Sequence, residues 1–353
     1  MSEALNIQDT SWSGPAASYM ITRAVVGAET IENGAIYVED GIRKKKTIPR
    51  IEVSNFMQKR QATPTSKGAV NVDGQVLQPQ DLMLYYEFNP RDYEQHFYAE
   101  QLQPKLLGRE LPVTAENFML LQTMKRLNEF FEYAIWRSRV QYDPTGQNPV
   151  LPSAKGDVAS GVPVYDTDGD PALYYFDGLI KKLLDQASNP TYPTITISSP
   201  AILVAGTATT GQENIGDAFM RCYSAVPKAL LYRYGAGGLK FIISKGTQQV
   251  YEAWLTTTAT YKNNDYTEKG INRYKGYDVQ PLAGVPDNTI VVCIAKPDID
   301  SNLWLGINST EDNQLQLMRL QNNSELFFVK GLFKMDTQIG FPDQVVLYTT
   351  LIA

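Results

Sequence analysis

The sequence predicts an α+β fold: an N-terminal arm, an extended β-hairpin loop, one long spine-like helix and a mixed α/β subdomain. Three observations carry this. Apolar residues recur at spacings of three and four from Leu121 to Ile135, the period of a single helix face. Apolar, β-rich stretches flank a Pro-, Gly-, Ser- and Thr-rich segment between Lys59 and Gln80, which describes a two-stranded projection with a turn-rich tip. From residue 172 to about 300 helix-period and strand-period segments alternate, and beyond that only strand-like segments remain.

The elements follow in order. Residues 1–34 hold Gly14-Pro15, scattered small residues and no sustained period, and read as an extended arm. Residues 35–88 form the projection, with strands at Ile36-Tyr37-Val38, Ile48 to Val53 and Asp81 to Phe88, and with Asp73-Gly74 as a tight turn. A two-stranded ribbon is marginal in water, so this one needs a partner surface. Residues 89–171 begin with a short helix capped by Asn89-Pro90 and contain the long helix, 114–139, opened by Thr114 with Glu116 in its first turn. Its apolar face is Leu121, Met124, Leu127, Phe131 and Ile135; Gln122, Lys125, Arg126 and Glu129 mark the solvated one.

Four prolines between 141 and 171 make a long irregular connection. In residues 172–300, Asp170-Pro171 caps a helix from Ala172 to about Gln186, and Tyr192 to Ser198 supplies a strand. Thr210 and Glu213 form a capping box for a helix that reaches Tyr232 with a kink at Pro227. A strand from Leu239 to Ile243 leads to Ser244, which caps a helix from Thr247 to Leu255. Residues 301–353 close the chain with returning strands.

Composition narrows the function. The 353 residues are 43% hydrophobic and 20% charged, enough for two or three subdomains with their own cores. The longest apolar run, Ile290 to Ala295, is far below the ~18 residues of a membrane span, and Met1 to Tyr19 lacks the basic start and apolar run of a secretory signal. Two cysteines, Cys222 and Cys293, make no disulfide framework, and a lone histidine, His96, excludes a histidine-pair metal site. No metal, cofactor or membrane partner is expected.

A net charge of −6 argues against gripping phosphates over a broad face. Its distribution says more. Residues 1–40 carry one base, Arg23, against six acids, among them Glu3, Asp9, Glu29 and Glu32; residues 41–72 carry Arg43, Lys44, Lys45, Lys46, Arg50, Lys59, Arg60 and Lys67 against Glu52 alone. These two segments of opposite sign, both poor in core periodicity, read as arms that reach for a partner surface.

Catalytic constellations are weak. Asp166, Asp168 and Asp170 superficially match the start of a calcium loop, but Pro171, Leu173 and Tyr174 follow where ligands are required. Gly235 to Gly238 precedes a strand, whereas a dinucleotide loop follows one, so it reads as a turn. Cys222 and Cys293 fall in apolar patterns and read as buried, inert thiols.

The order of elements resembles the major capsid proteins of tailed phages, the Hong Kong 97 fold family. Cys222 to Leu255, CYSAVPKALLYRYGAGGLKFIISKGTQQVYEAWL, resembles the family's axial-domain passage. Tyr274 to Val292, YKGYDVQPLAGVPDNTIVV, resembles its hairpin with a Pro-Asp turn, and Phe328 to Leu347, with Asp336, Phe341 and Pro342, its final returning strands.

The resemblance implies a non-enzymatic subunit that self-assembles, as hexamers and pentamers, into an icosahedral shell around double-stranded DNA touched non-specifically. It implies too that the surface reached by the two charged segments belongs to neighbouring copies, with the basic residues on the projection and the acids on the arm as the inter-subunit contacts. It further implies a portal partner, a virion location and assembly in the host cytoplasm. Some relatives begin with a helical scaffolding segment; the arm here points instead to a separate scaffolding protein or none. Lys44, Lys45, Lys46, Lys59 and Lys67 lie where some relatives carry a cross-linking lysine, but no acceptor is identifiable. Two other readings stand beside this one: an encapsulin-like nanocompartment shell, and a β-rich carbohydrate-active enzyme using Asp298 and Asp300.

Overall fold

The computed structural model describes residues 11–12, 29–63, 65–88, 113–138, 176–234, 238–257, 273–308, 315–319 and 326–351. His96, the Asp166–Asp170 cluster and the Asn89-Pro90 and Asp170-Pro171 caps lie outside them, as do the Leu121 and Gln122 side chains. In chain order the first half contributes β1 (Ser11–Trp12), α1 (Glu29–Glu32), β2 (Tyr37–Glu39), β3 (Lys46–Val53), β4 (Val70–Leu77), β5 (Gln80–Phe88) and α2 (Val113–Arg137). The second half follows with α3 (Leu179–Gln186), β6 (Ile195–Thr196), β7 (Ile202–Val204), β8 (Gln212–Asn214), α4 (Ile215–Ala225), α5 (Lys228–Tyr234), β9 (Leu239–Ser244) and α6 (Lys245–Thr257). Strands then dominate: β10 (Arg273–Tyr274), β11 (Tyr277–Leu282), β12 (Ile290–Ile294), β13 (Leu303–Ile307), β14 (Leu315–Arg319), β15 (Phe327–Ile339) and β16 (Val346–Tyr348).

The long helix α2 has 25 residues and is about 37 Å long. Met124, Leu127, Phe131 and Ile135 are buried, while Lys125, Arg126 and Glu129 are exposed, as the spacing predicts. The apolar side lies on the first sheet, whose order is β1-β14-β15-β13-β2 with β5 also on β15. β15 has 13 residues; β5 borders one edge, and β14 and β13 share the other. Phe131 meets Phe333 of β15 edge-on, with ring centroids 5.6 Å apart.

The second sheet runs β10-β11-β9-β12-β16-β6. Its central strand β12 reads IVVCI without polar alternation because both faces are covered. Val291, Cys293, Ile242 and Leu347 join the core of α2, α3 and the first sheet. Ile290, Val292, Phe241 and Ile243 pack instead with Phe219 of α4 and Tyr251 of α6. Phe219 stacks on Phe241 at 5.3 Å and on Tyr251 at 4.9 Å.

Several expected boundaries move, each for a visible reason. The helix expected from Ala172 starts at Leu179. Gly178 donates its N–H to the Ser138 carbonyl (2.6 Å), and a Cβ there would lie 2.9 Å from the Trp136 carbonyl oxygen, so the chain passes the end of α2 extended before it can turn helical. The Thr210–Glu213 capping box does not form. Gln212–Asn214 is strand β8, paired parallel with β7, and Asn214 caps α4 by accepting the Gly216 N–H at 2.8 Å. Pro227 separates two helices rather than kinking one: α4 ends at Ala225 with Val226 extended, and α5 restarts at Lys228. Ser244 does cap α6, its Oγ accepting the Thr247 N–H at 2.9 Å. The last strand, β16, leaves the first sheet's neighbourhood and inserts between β12 and β6 of the second sheet, so residues 301–353 serve both sheets.

The projection is also redrawn. β3 pairs antiparallel with β4, from Lys46↔Leu77 to Val53↔Val70, while Asp81 to Phe88 belongs to β5 on the first sheet. Asp73-Gly74 is therefore within a strand, opposite Pro49 and Arg50. Glycine is required there: a Cβ on residue 74 would lie 2.3 Å from the Thr47 methyl and 2.9 Å from the Ile48 carbonyl oxygen.

Candidate assembly interface

In an antiparallel pair, residues opposite one another point to the same face. The β3–β4 register thus puts Thr47, Pro49, Ile51 and Val53 of β3 with Val70, Val72, Gly74 and Val76 of β4 on one face. This face is almost wholly apolar. It is also exposed: Ile51 by 62%, Val72 by 71% and Val70 by 60%. The tip beyond it presents Phe56 and Met57, both exposed, and is ordered by local bonds from Ser54 Oγ to the Ala69 carbonyl (2.9 Å) and from Lys67 Nζ to the Met57 carbonyl (3.0 Å).

Among the described residues the opposite face meets the body only at the root. Ile48, Arg50 and Leu77 are buried there. Asp336 of β15 accepts the Gln78 N–H at 2.8 Å and the Lys182 ammonium of α3 at 2.7 Å, and the Gln338 amide donates to the Val76 carbonyl at 2.7 Å. Burial raises the Asp336 carboxyl above its ordinary range, against the pull of Lys182.

Arg43, Lys44, Lys45 and Lys46 are exposed at the ribbon's root, and Lys59 and Arg60 are exposed at its tip. Eight-residue strands separate the two groups by about 26 Å, so they form two charged ends rather than one patch. Lys46 is engaged by Glu39 of its own chain. Arg50 differs from the rest: it is 5% exposed, paired with Asp73 across the ribbon, and lies over the Tyr192 ring at 4.2 Å. The guanidinium thus ties the ribbon to its own subunit. The Gly74 N–H and then Arg50 hold the exposed Asp73 carboxyl below its usual value.

Of the acids on the arm, Glu3 and Asp9 lie outside the described residues, and Glu32 is exposed. Glu29 pairs with Lys245 and accepts the Ala283 N–H at 3.1 Å. Beside it lies a carboxylate that sequence reasoning missed. Glu132 of α2 is buried and accepts the Thr30 N–H (2.8 Å), the Thr30 hydroxyl (2.7 Å) and the Gly284 N–H (3.2 Å), while Trp136 Nε1–H donates to Thr30 Oγ1 (2.8 Å). Burial raises its carboxyl above the ordinary glutamate range, and the Thr30 and Gly284 bonds oppose that rise. This cluster fastens the root of the arm to the long helix and to the loop after β11.

Elsewhere among the described residues chemistry is sparse. Asp298 and Asp300 are exposed on the turn after β12. Cys222 and Cys293 are buried and their thiols are pushed up to about 12, chiefly by desolvation, which makes them poor nucleophiles. Among the described residues no helix is long and apolar enough to cross a membrane. The apolar ribbon face itself had a legible signal: Val70, Val72 and Val76 recur with a period of two, and only Asp73-Gly74 interrupts the reading.

No family model matches the sequence. No curated protein matches it either. Solved structures do. A chain from the procapsid of satellite phage P4, in a structure that includes the size determination protein, superposes with a TM-score of 0.56 at 11% identity, covering 98% of this chain and 93% of that one. A chain from the capsid of an empty GTA particle gives 0.53 at 10% identity over 92% and 90%. One from the capsid of the cyanophage P-SCSP1u gives 0.50 at 11% over 90% and 86%. Agreement over nine-tenths of the chain, at identities too low to reflect anything but architecture, means that this chain adopts the overall fold of these phage capsid structures.

Proposed function

We propose that this chain is a major capsid protein: a structural subunit, not an enzyme, whose copies form the hexamers and pentamers of an icosahedral shell around double-stranded DNA. The observation that carries the reading is the ribbon. Ile51, Val53, Val70, Val72 and Val76 form an apolar face that its own subunit leaves in water, and a two-stranded ribbon of this kind gains stability only by packing on something else. A neighbouring copy supplies that surface in a shell, and the contact repeats at every subunit. The exposed bases at root and tip and the acids of the arm add charge matching between copies, each pair worth on the order of 0.2–1 kcal/mol. The capsid origin of the structures with the same fold supports this assignment.

In this reading the subunit assembles in the host cytoplasm, with a portal as partner. It ends in the virion and touches the genome non-specifically. The test is assembly of the purified protein, followed by light scattering and negative-stain microscopy, with nuclease treatment of particles recovered from the host. Closed particles with protected double-stranded DNA are expected. A compact monomer across high concentrations, with and without a scaffolding partner, refutes the assignment, and particles filled with protein would favour a nanocompartment.

A further inference from the structure

Among the described residues nothing of the same chain covers the ribbon's apolar face, and in a solution of free subunits the same face of another copy matches it in shape and polarity. Apolar faces of two sheets pack ~10 Å apart with interdigitated side chains, and a twofold axis makes such a contact self-complementary. Two ribbons paired in this way would hide Ile51, Val53, Val70, Val72 and Val76 from the body of any neighbour. Ribbon pairing would therefore compete with assembly.

Charge stands at both ends of this face and nowhere on it. None of the residues at its register positions is an acid or a base. The tip, residues 54–69, holds Lys59, Arg60 and Lys67 and no acid, and Lys67 is fixed there by the Met57 carbonyl. At the root Arg43, Lys44 and Lys45 are exposed; Glu39 is taken by Lys46 and Asp81 by Lys334, which leaves Asp40 as the acid beside them. Symmetry decides what these ends meet. A twofold axis along the strands sets root on root and tip on tip, and one across them sets root on tip. In both arrangements bases face bases across ~10 Å, close to the Debye length of ~10 Å at about 0.1 M salt, so their repulsion is only partly screened.

We propose that the bases at the two ends of the ribbon bar it from pairing with the ribbon of a second free copy, and so keep its apolar face open for the shell contact. This rests on the assembly reading above and adds the surface that the ribbon refuses, an apolar face rimmed with cations. Flanking an exposed apolar strand with Lys and Arg is a general protection against self-association. Here the charges lie at the ends, where they spare the face itself for a partner whose rim is acidic or uncharged.

The test is disulfide capture at the middle of the face. Ile51 is exposed there, and Ile51→Cys in the full-length chain links to a second copy when two ribbons pair face to face. Buried Cys222 and Cys293 stay out of the reaction. The variant is oxidised mildly, below the concentration at which particles form, at low salt and near ~1 M salt, where the Debye length is ~3 Å. A second version adds Lys59→Gln and Arg60→Gln and is oxidised at low salt; both positions are exposed, and Lys67 stays because it binds Met57. Linked dimer should be scarce in the first sample and roughly tenfold more abundant in the other two, the combined scale of a few exposed like-charge pairs. The glutamine version separates lost repulsion from any general effect of salt on apolar contacts. A dimer yield that neutralisation leaves unchanged, or one already high with all bases present at low salt, overturns this inference. Light scattering of the chain with Ile51 intact, at higher concentration, reads the shell assignment separately: particles leave it standing whatever the dimer yield, and their absence overturns it.

Discussion

In β12 all five side chains, Ile290 to Ile294, are buried, Val291 and Cys293 against the α2 core and Ile290, Val292 and Ile294 against α4 and α6. In the β3–β4 ribbon an equally β-branched set, Ile51, Val53, Val70, Val72 and Val76, stands in solvent on a single face. Strand propensity is similar in the two places; the covering layers are not. The first region is stabilised by its own subunit, so its substitutions should register in subunit unfolding. In the proposed shell the second gains its stabilisation from a neighbour, so its substitutions should register in assembly.

The largest effect belongs to the internal side of that contrast. Phe131→Ala removes a ring that is 1% exposed and meets Phe333, and should lower subunit stability by about 3–5 kcal/mol in chemical denaturation. A change under about 1 kcal/mol would mean that the core of α2 does not carry the fold.

Glu132→Gln comes next. An amide facing the Thr30 and Gly284 donors loses one acceptor, and about 1–3 kcal/mol is expected. The pH dependence gives a sign. Because burial raises the folded-state pKa, this group's contribution is complete below the pH where a free glutamate titrates and declines as pH rises through the raised value. The Gln variant should lack that decline when stability is measured across mildly acidic to neutral pH.

Ile51→Thr with Val72→Thr should leave subunit stability within about 0.5 kcal/mol for each residue, since both are exposed, yet prevent particle formation by light scattering. Particles of normal yield would erase the distinction between the two regions. The smallest effect on the subunit is expected from Lys44, Lys45 and Lys46 all changed to Glu. Melting should be nearly unchanged apart from the lost Lys46–Glu39 pair, while assembly weakens. In the unaltered protein the same contribution should fade near 1 M salt, where the Debye length is ~3 Å.

How much of this was legible in the sequence depends on the range of the interactions that decide each element. The long helix, β12, β9 and the Ser244 cap are fixed by neighbours within a few residues, and the periods of 3.6 and 2 and the capping residue display them. The start of α3 is fixed by Gly178 against the end of α2, forty residues upstream in sequence, and no local pattern shows that. Asp73-Gly74 carries turn chemistry but sits in a strand, paired across the ribbon with Arg50 and Pro49, and the glycine serves the close approach of the Thr47 methyl and the Ile48 carbonyl rather than a turn. Arg50 and Glu132 are charged types, which sequence reading assigns to the surface; each is buried because its partners, Asp73 and Tyr192 or Thr30 and Gly284, come from distant segments. The parallel pairings β2–β13 and β16–β6 are equally silent, since they join residues more than 150 positions apart.

The position of β16 has a consequence for timing. A ribosome releases the ribbon, residues 46–77, long before it reaches Val346–Tyr348, the strand that fills the gap between β12 and β6. Until then the second sheet ends at β12, and β6 has no neighbour of its own. A nascent chain therefore exposes its adhesive ribbon early but lacks the finished body against which another chain's ribbon could settle. In the proposed assembly, closing the sheet with a late strand would delay polymerisation until synthesis has passed residue 348, so that unfinished chains would not seed defective particles.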